Sequence, residues 1–549
     1  MADRPNIILI LADDMGYSDI GCYGSEIRTP NLDRLGVNGL RFSQMYNSAR
    51  CCPSRAALLT GLNPHQTGVG HMTGNSGVPA YQGYLNNSCV TVAEVLRDHG
   101  YATFMSGKWH CGGSYDIRNS ASWEQYKGDA GHSLPVQRGF DRFYGIVGGA
   151  ASYFYPQALM RDDKFLELES SDYYLTDAIS DNAVNMIQDN TDSGKPFFLH
   201  VAYTAPHWPL HALEEDIARY EGKYRGGWDV LRTSRHEELK GLGILDSKWQ
   251  ISPRDKDSRP WGDITDPDWQ DIRMAVYAAQ VDRLDQGIGR ILNKLRELDI
   301  EENTLVMFLS DNGGCAEFLA EDTNRPAPAQ FANPNPDGKP MRLGNIPGLR
   351  PGPADTFMSY DLAWANASNS PFRLFKRWTH EGGISTPFIV NWPAMIKQPG
   401  IVHQPSHIID IAATCIGAAG AKYPTEFNGN AISPIEGESF MGLIEGGQWT
   451  REKPIFWEHE GSRAIRIGEW KLVSEGGGDH ASKGGSSKGG GPGVGWELYN
   501  MSQDRTELND LSQGNRQKAE ELAKLYDEWA DRCGVLPWAI IEGRRSGRR

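Results

Sequence analysis

Pro5-Asn6-Ile7-Ile8-Leu9-Ile10-Leu11-Ala12-Asp13-Asp14 is an unbroken apolar run that ends on two carboxylates. A short apolar run without alternation reads as a strand covered on both faces. Three further runs of this kind each lead to polar residues: 101–105 before Lys108 and His110, 197–203 before His207, and 304–309 before Asp311-Asn312. Helical patterns fall between them. Thr29-Pro30 has the form of an N-cap followed by proline at the first helical position, opening a helix towards Leu40. Residues 92–98 place Val92, Val95 and Leu96 on one face, with Gly100 as the stop. Residues 271–298 keep a three-four spacing through Met274, Tyr277, Val281, Leu284, Ile288, Ile291 and Leu295. This alternation predicts a three-layer α/β fold, in which ligands bind beyond the carboxyl ends of the strands. The four polar endings are expected to converge there.

The chain has 549 residues with 39% hydrophobic content, enough for one large domain and a smaller one. The boundary is placed between 1–448 and 449–549, where the character changes. Residues 454–458, 462–467, 469–473 and 496–500 read as short antiparallel strands. A helix with Leu522, Leu525 and Trp529 on one face is expected to cover them. Residues 476–495 are so rich in Gly, Ser and Lys that they read as a flexible excursion. They lack the strand-to-helix setting and the ending of a phosphate loop. The Arg-rich end, 544–549, reads as a disordered tail. Residues 210–270 and 316–370 read as long loops, either substrate walls or inert insertions.

A net charge of −15 argues against a nucleic-acid binder. It does not exclude an anionic substrate, because a local group of cations dominates within a Debye length of roughly 8–10 Å. The eight cysteines contain no C-x-x-C pair, which argues against a zinc ribbon or a thioredoxin site and leaves most as buried small hydrophobes. No transmembrane run is present. The first strand starts so early that no room is left for a signal peptide. The expectation is a periplasmic or secreted protein if a signal has been trimmed, and otherwise a cytoplasmic one.

The segment that carries chemistry is Cys51-Cys52-Pro53-Ser54-Arg55, continuing to Leu59-Thr60-Gly61. A cysteine stands just before a helix that Pro53 can start. Free N–H groups there favour an anion, and Arg55 adds a fixed cation. On these residues alone a structural cysteine stays open.

Cys-x-Pro-Ser-Arg followed by Leu-Thr-Gly resembles the modification signature of type I, formylglycine-dependent sulfatases. Other motifs match in order: Pro5-Asn6-Ile7 to Asp13-Asp14, Gly107-Lys108-Trp109-His110, Ala205-Pro206-His207-Trp208-Pro209, Ser310-Asp311-Asn312-Gly313, and Lys376 ahead of Glu381-Gly382-Gly383-Ile384. The C-terminal Trp496-Glu497-Leu498-Tyr499-Asn500 extends the likeness to nearly the whole chain, and it is greatest to bacterial arylsulfatases. The resemblance implies an alkaline phosphatase-like sandwich with a large mixed, mostly parallel sheet. It implies that Cys51, not Cys52, is oxidised to formylglycine by a formylglycine-generating or sulfatase-maturing enzyme.

The implied metal ligands are Asp13, Asp14, Asp311, Asn312 and residue 51. Hard oxygen donors suit calcium, with magnesium second. Arg55, Lys108, His110, His207 and Lys376 are implied around the sulfate. The implied chemistry is attack on sulfur by one hydroxyl of the hydrated aldehyde, with Asp311 as proton acceptor and with His207 and Lys376 at the leaving oxygen. His110 then helps the second hydroxyl expel sulfate. Two positions depart from the pattern: Ser385 stands where the family has arginine, and Cys111 where leucine is common. The nearest alternative within the superfamily is a phosphonate monoester or phosphodiester hydrolase. The expected substrate is an aryl or a carbohydrate sulfate.

Overall fold

Each of the four apolar runs forms a strand, and the four lie side by side. The computed structural model describes residues 4–115, 122–168, 172–319, 341–475 and 495–546. In chain order the large sheet contains β1 (Asn6–Asp13), β2 (Leu40–Tyr46), β3 (Ala102–Gly107), β4 (Arg142–Ile146), β5 (Leu159–Arg161), β6 (Lys164–Phe165), β7 (Phe197–Pro206) and β8 (Thr304–Ser310). Strands Ser385–Asn391 and Gly400–Val402 complete its main path. The spatial order is Gly400–Val402, β2, Ser385–Asn391, β8, β1, β7, β3, β4, β5, β6. From β8 to β4 every pairing is parallel, whereas Ser385–Asn391 runs antiparallel to β8 and β2.

The unbroken hydrophobicity of β1 has a direct cause. Ile8, Ile10 and Ala12 enter one core and Ile7, Leu9 and Leu11 the other, so both faces are dry. Burying one such side chain stabilises the fold by about 1.5–3 kcal/mol. Helices Pro30–Val37, Leu175–Asp189 and Pro267–Glu297 cover the first face. Cys51–Thr60, Val92–Asp98 and Ile409–Ala418 cover the second. Register aligns the strand ends: Ala12 lies beside Ser310, Asp13 beside Pro206, and Gly107 beside Ala202. Asp14, Asp311, His207 and Lys108 therefore leave the sheet along one edge. Gly107 has φ 124°, and a Cβ there would lie 1.8 Å from the Ala202 carbonyl oxygen, so only glycine fits.

Several boundaries differ from the sequence reading. The helix after Thr29 spans Pro30–Val37, but Thr29 does not cap it. Its hydroxyl accepts from Gly21 N and donates to Asp33, while Asp285 of the long helix accepts from the amides of Asn31 and Leu32. Residues 210–270 are not a bare loop, since they contain helices Glu214–Ile217 and Gly227–Gly241. Charged residues hid this, because Arg235 is buried against Asp19 at 2.6 Å and Glu26 at 2.9 Å.

At the C-terminal end, Ile455–His459, Ser462–Ile467, Trp470–Ser474 and Glu497–Asn500 form an antiparallel sheet. Helix Arg516–Cys533 covers it, with Trp529 stacked on Phe456 at 5.0 Å. Arg544 and Arg545 belong to a further helix, Trp538–Ser546, which seats Trp538 and Ile541 on Ala80 and Tyr81. The basic end is thus not wholly a tail; residues 547–549, and 476–494 of the Gly-rich stretch, lie outside the described residues. Among the described residues no helix is long and apolar enough to cross a membrane.

Candidate active site

Helix Cys51–Thr60 begins at Cys51 itself, two residues before the proline, and all ten of its residues are buried. Pro53 sits in the first turn, where an amide hydrogen has no intrahelical acceptor, so its missing donor costs nothing. One turn on, Arg55 donates to Asp311 Oδ2 through Nε at 3.0 Å and Nη2 at 2.7 Å, and to the Lys108 carbonyl at 2.9 Å. Its Nη2 also lies 3.6 Å from Asp13 Oδ1.

The two carboxylates at the end of β1 diverge. Asp13 faces Lys108, with Nζ to Oδ2 at 2.6 Å. Asp14 adopts φ 66° and accepts from Lys376 Nζ at 2.9 Å and Asn312 Nδ2 at 2.7 Å. Its amide donates to Asp311 Oδ1 at 3.3 Å. His207 Nε2 lies 3.4 Å from both Asp14 Oδ2 and Lys376 Nζ. The other ring nitrogen, Nδ1, donates to the Trp208 carbonyl at 2.7 Å, which leaves Nε2 as the acceptor. His110, at φ 54°, packs against Gly149, where a Cβ would come within 2.5 Å of its ring. Left-handed residues at Asp14, His110, Ala49 and Arg377 put local strain at this edge.

Charge is crowded here on side chains that are almost wholly buried. Burial raises Asp13, but Lys108, His207 and Arg55 outweigh it and leave its pKa at about 2. Asp311 goes the other way, pushed well up by burial and by Asp13 despite Arg55. Burial lowers His110 to about 4 and also lowers His207, so both are neutral at pH 7. Against burial, Asp14, Cys315 and Glu317 hold Lys376 well above the usual lysine range. A hydrogen bond from Cys52 first, then Lys108 and His110 against burial, hold the Cys51 thiol well below the usual range. Cys111, one residue from His110, is pushed up to about 12 by burial.

The residues implied for the metal and the sulfate come together at this edge of the sheet. Two groups of possible ligands lie among them: Asp13, Asp14 and His207, and Cys51, Cys52 and His110. Asp311 and Asn312 join the first through Asp14. Asp13 Oδ1 and Asn312 Oδ1 are buried oxygens without a hydrogen-bond partner. Such orphans fit a site for a hard cation, which three carboxylates together also demand.

Sequence reasoning missed two groups. Glu317 accepts from Trp208 Nε1 at 2.9 Å and pairs with Arg50 at 2.8 Å, in the wall beside Lys376. Its signal, a lone glutamate six residues beyond Asp311, is too common to stand out. The second group answers the departure at Ser385. Ser385 Oγ donates to Glu381 Oε2 at 2.9 Å, and a guanidinium reaches the same oxygen at 3.3 Å from Arg505 in the C-terminal segment.

The sulfatase family profile matches residues 5–421. An arylsulfatase of Klebsiella aerogenes is 31% identical, with 80% of this chain and 92% of the relative covered. An uncharacterized sulfatase of Schizosaccharomyces pombe is 30% identical over 97% of this chain and 94% of its own. Among solved structures, Ps i-CgsB in complex with k-i-k-neocarrahexaose is similar with a TM-score of 0.64 and 25% identity, covering 96% of this chain and 93% of that one. Strand ends that gather carboxylates, cations and a cysteine-led helix thus coincide with a sequence match over most of the chain: the protein belongs to the sulfatase family and is a sulfuric ester hydrolase.

Proposed function

We propose that the protein hydrolyses sulfate monoesters of aryl or saccharide alcohols with Cys51 oxidised to formylglycine. In this reading Asp13, Asp14, Asp311, Asn312 and residue 51 hold calcium. The observation that carries the reading is the convergence of four strand ends on the N-terminus of helix Cys51–Thr60. Hard oxygen donors and orphaned Asp13 Oδ1 and Asn312 Oδ1 favour calcium over a softer ion. Bound there, calcium would supply positive charge against the sulfate oxygens and the nucleophile. The hydrated aldehyde would supply two geminal hydroxyls, one to displace the alcohol from sulfur and one whose deprotonation releases sulfate.

The remaining roles belong to the chain's own side chains. Arg55 and Lys108, fixed by Asp311 and Asp13, stabilise the charge of the transferring group. Asp311, oriented by Arg55 and the Asp14 amide, takes the proton of the attacking hydroxyl. Neutral His110, beside residue 51, takes the second proton. Lys376, charged and held between Asp14 and His207, presents a donor to the leaving oxygen. Oxidation of Cys51 requires a formylglycine-generating or sulfatase-maturing enzyme as a partner during biosynthesis.

Mass spectrometry tests the central step. The Cys51 peptide of active protein is expected to be lighter by about 18 Da than the thiol form. Undiminished turnover of 4-nitrophenyl sulfate by Cys51→Ala overturns the proposal. Comparing 4-nitrophenyl sulfate with a phenylphosphonate monoester separates it from phosphonate hydrolysis.

A further inference from the structure

Glu317 is a carboxylate placed where a sulfate ester would least be expected to meet one. It is held from two sides, by Trp208 Nε1 at 2.9 Å and Arg50 at 2.8 Å, and its Oε2 lies 4.0 Å from Lys376 Nζ. In the proposed reading Lys376 and His207 stand at the leaving oxygen, which puts Glu317 beside the departing alcohol. Its side chain is 33% exposed, which leaves the charge partly open to solvent.

Among the described residues, three cations on this side are each matched: Arg50 with Glu317 at 2.8 Å, Lys376 with Asp14 at 2.9 Å, and Arg377 with Glu460 at 3.3 Å. Next to Glu317 the wall is apolar. Trp208, Leu319 and Leu343 pack on Met341 and Phe357, and neighbouring Phe318 is 39% exposed.

We infer that Glu317 is a specificity-determining residue, one that makes the alcohol subsite favour uncharged, apolar alcohols and reject alcohols bearing a second negative charge. This rests on the proposed sulfate ester hydrolysis. Lys376, Arg50 and His207 keep the Glu317 carboxyl far below the usual range against the push of burial, so the charge is present throughout the working pH range. At a separation of about 7 Å and a half-open surface, one charge alters the binding of another by about tenfold.

The experiment compares kcat/KM for 4-acetylphenyl sulfate and 4-carboxyphenyl sulfate, taken as a ratio so that intrinsic reactivity cancels between variants. Glu317→Gln keeps an acceptor for Trp208 and is expected to lower the ratio about tenfold, chiefly through faster turnover of the carboxylated ester. Arg50→Gln removes the partner and is expected to raise it. High salt should bring the wild-type ratio towards that of Glu317→Gln. A ratio unchanged within twofold in Glu317→Gln overturns the inference. If Glu317→Gln is inactive, Arg50→Gln and the salt series decide, and a flat response in both overturns it. Wild-type protein that hydrolyses neither ester contradicts the proposed function instead.

Discussion

Lys108 and Asp13 meet at 2.6 Å, with neither side chain more than 1% exposed. The pair joins the end of β3 to the end of β1, so the lysine is held by a group that itself belongs to the proposed metal site. Lys108→Met is expected to lower kcat/KM for an aryl sulfate by about 10²–10³, the usual cost of losing one preorganised charge at a transition state. Steady-state kinetics check this. A loss below tenfold would mean that Lys108 only balances Asp13.

The crowding of Asp13, Asp14 and Asp311 is expected to make stability depend on a cation. An ion that binds the folded form alone, present at about 100 times its dissociation constant, adds about 2.7 kcal/mol. Calcium is therefore expected to raise the melting temperature of chelator-treated protein, and magnesium to raise it less. Asp14→Asn should remove most of the calcium effect. Equal melting curves with calcium and with chelator would show that the acidic edge holds no such ion.

How much of this was legible in the sequence follows from how each residue is stabilised. Strands β1, β3, β7 and β8 were readable because burial on both faces writes an unbroken apolar run. The polar residues after them were readable because parallel register puts every strand's end at one edge. Long-range pairs were not. Arg505 reaches Glu381 across 124 residues, and Arg235 reaches Asp19 across 216. No local pattern marks either, so the helix carrying Arg235 read as a loop. Glu317 was illegible for a different cause, since its meaning lies in Lys376 and Arg50, which come from distant segments.

The C-terminal sheet is tied to the segment carrying Lys376 by a buried ionic group. Lys471 Nζ lies 2.9 Å from Glu381 Oε1 and 2.7 Å from Glu507 Oε1, and all three side chains are fully buried. Removing the lysine leaves two buried carboxylates close together, with Arg505 still paired to Glu381. Lys471→Met is therefore expected to cost about 3–5 kcal/mol, more than an average substitution. Lys471→Met combined with Glu381→Gln should recover part of that loss, because one of the two like charges is gone. Urea denaturation of both variants checks the difference, and equal stabilities would argue that neither carboxylate is stranded.

His200 lies at the centre of β7, buried, with Nδ1 donating to the Leu9 carbonyl at 3.0 Å. Burial pushes its pKa down to about 3, against 6.5 for the ordinary group. Between these values the unfolded chain holds a proton that the folded chain refuses, so folding stability falls as pH drops below about 6.5. The loss is about 1.4 kcal/mol per pH unit for this one group, or close to 3 kcal/mol by pH 4.5. His407, lowered to about 3, adds in the same direction, while Asp285, raised to about 6, opposes it. The contribution of His200 must accordingly be read as a difference. His200→Asn keeps a donor for Leu9 and removes the titration. It is expected to be less stable at pH 7 because of the volume lost, yet its stability should decline with acid more gently than the wild type, by about one proton. Denaturation curves from pH 7 to 4.5 measure both slopes, and parallel slopes would mean that His200 is protonated in the folded protein or hydrated within the sheet.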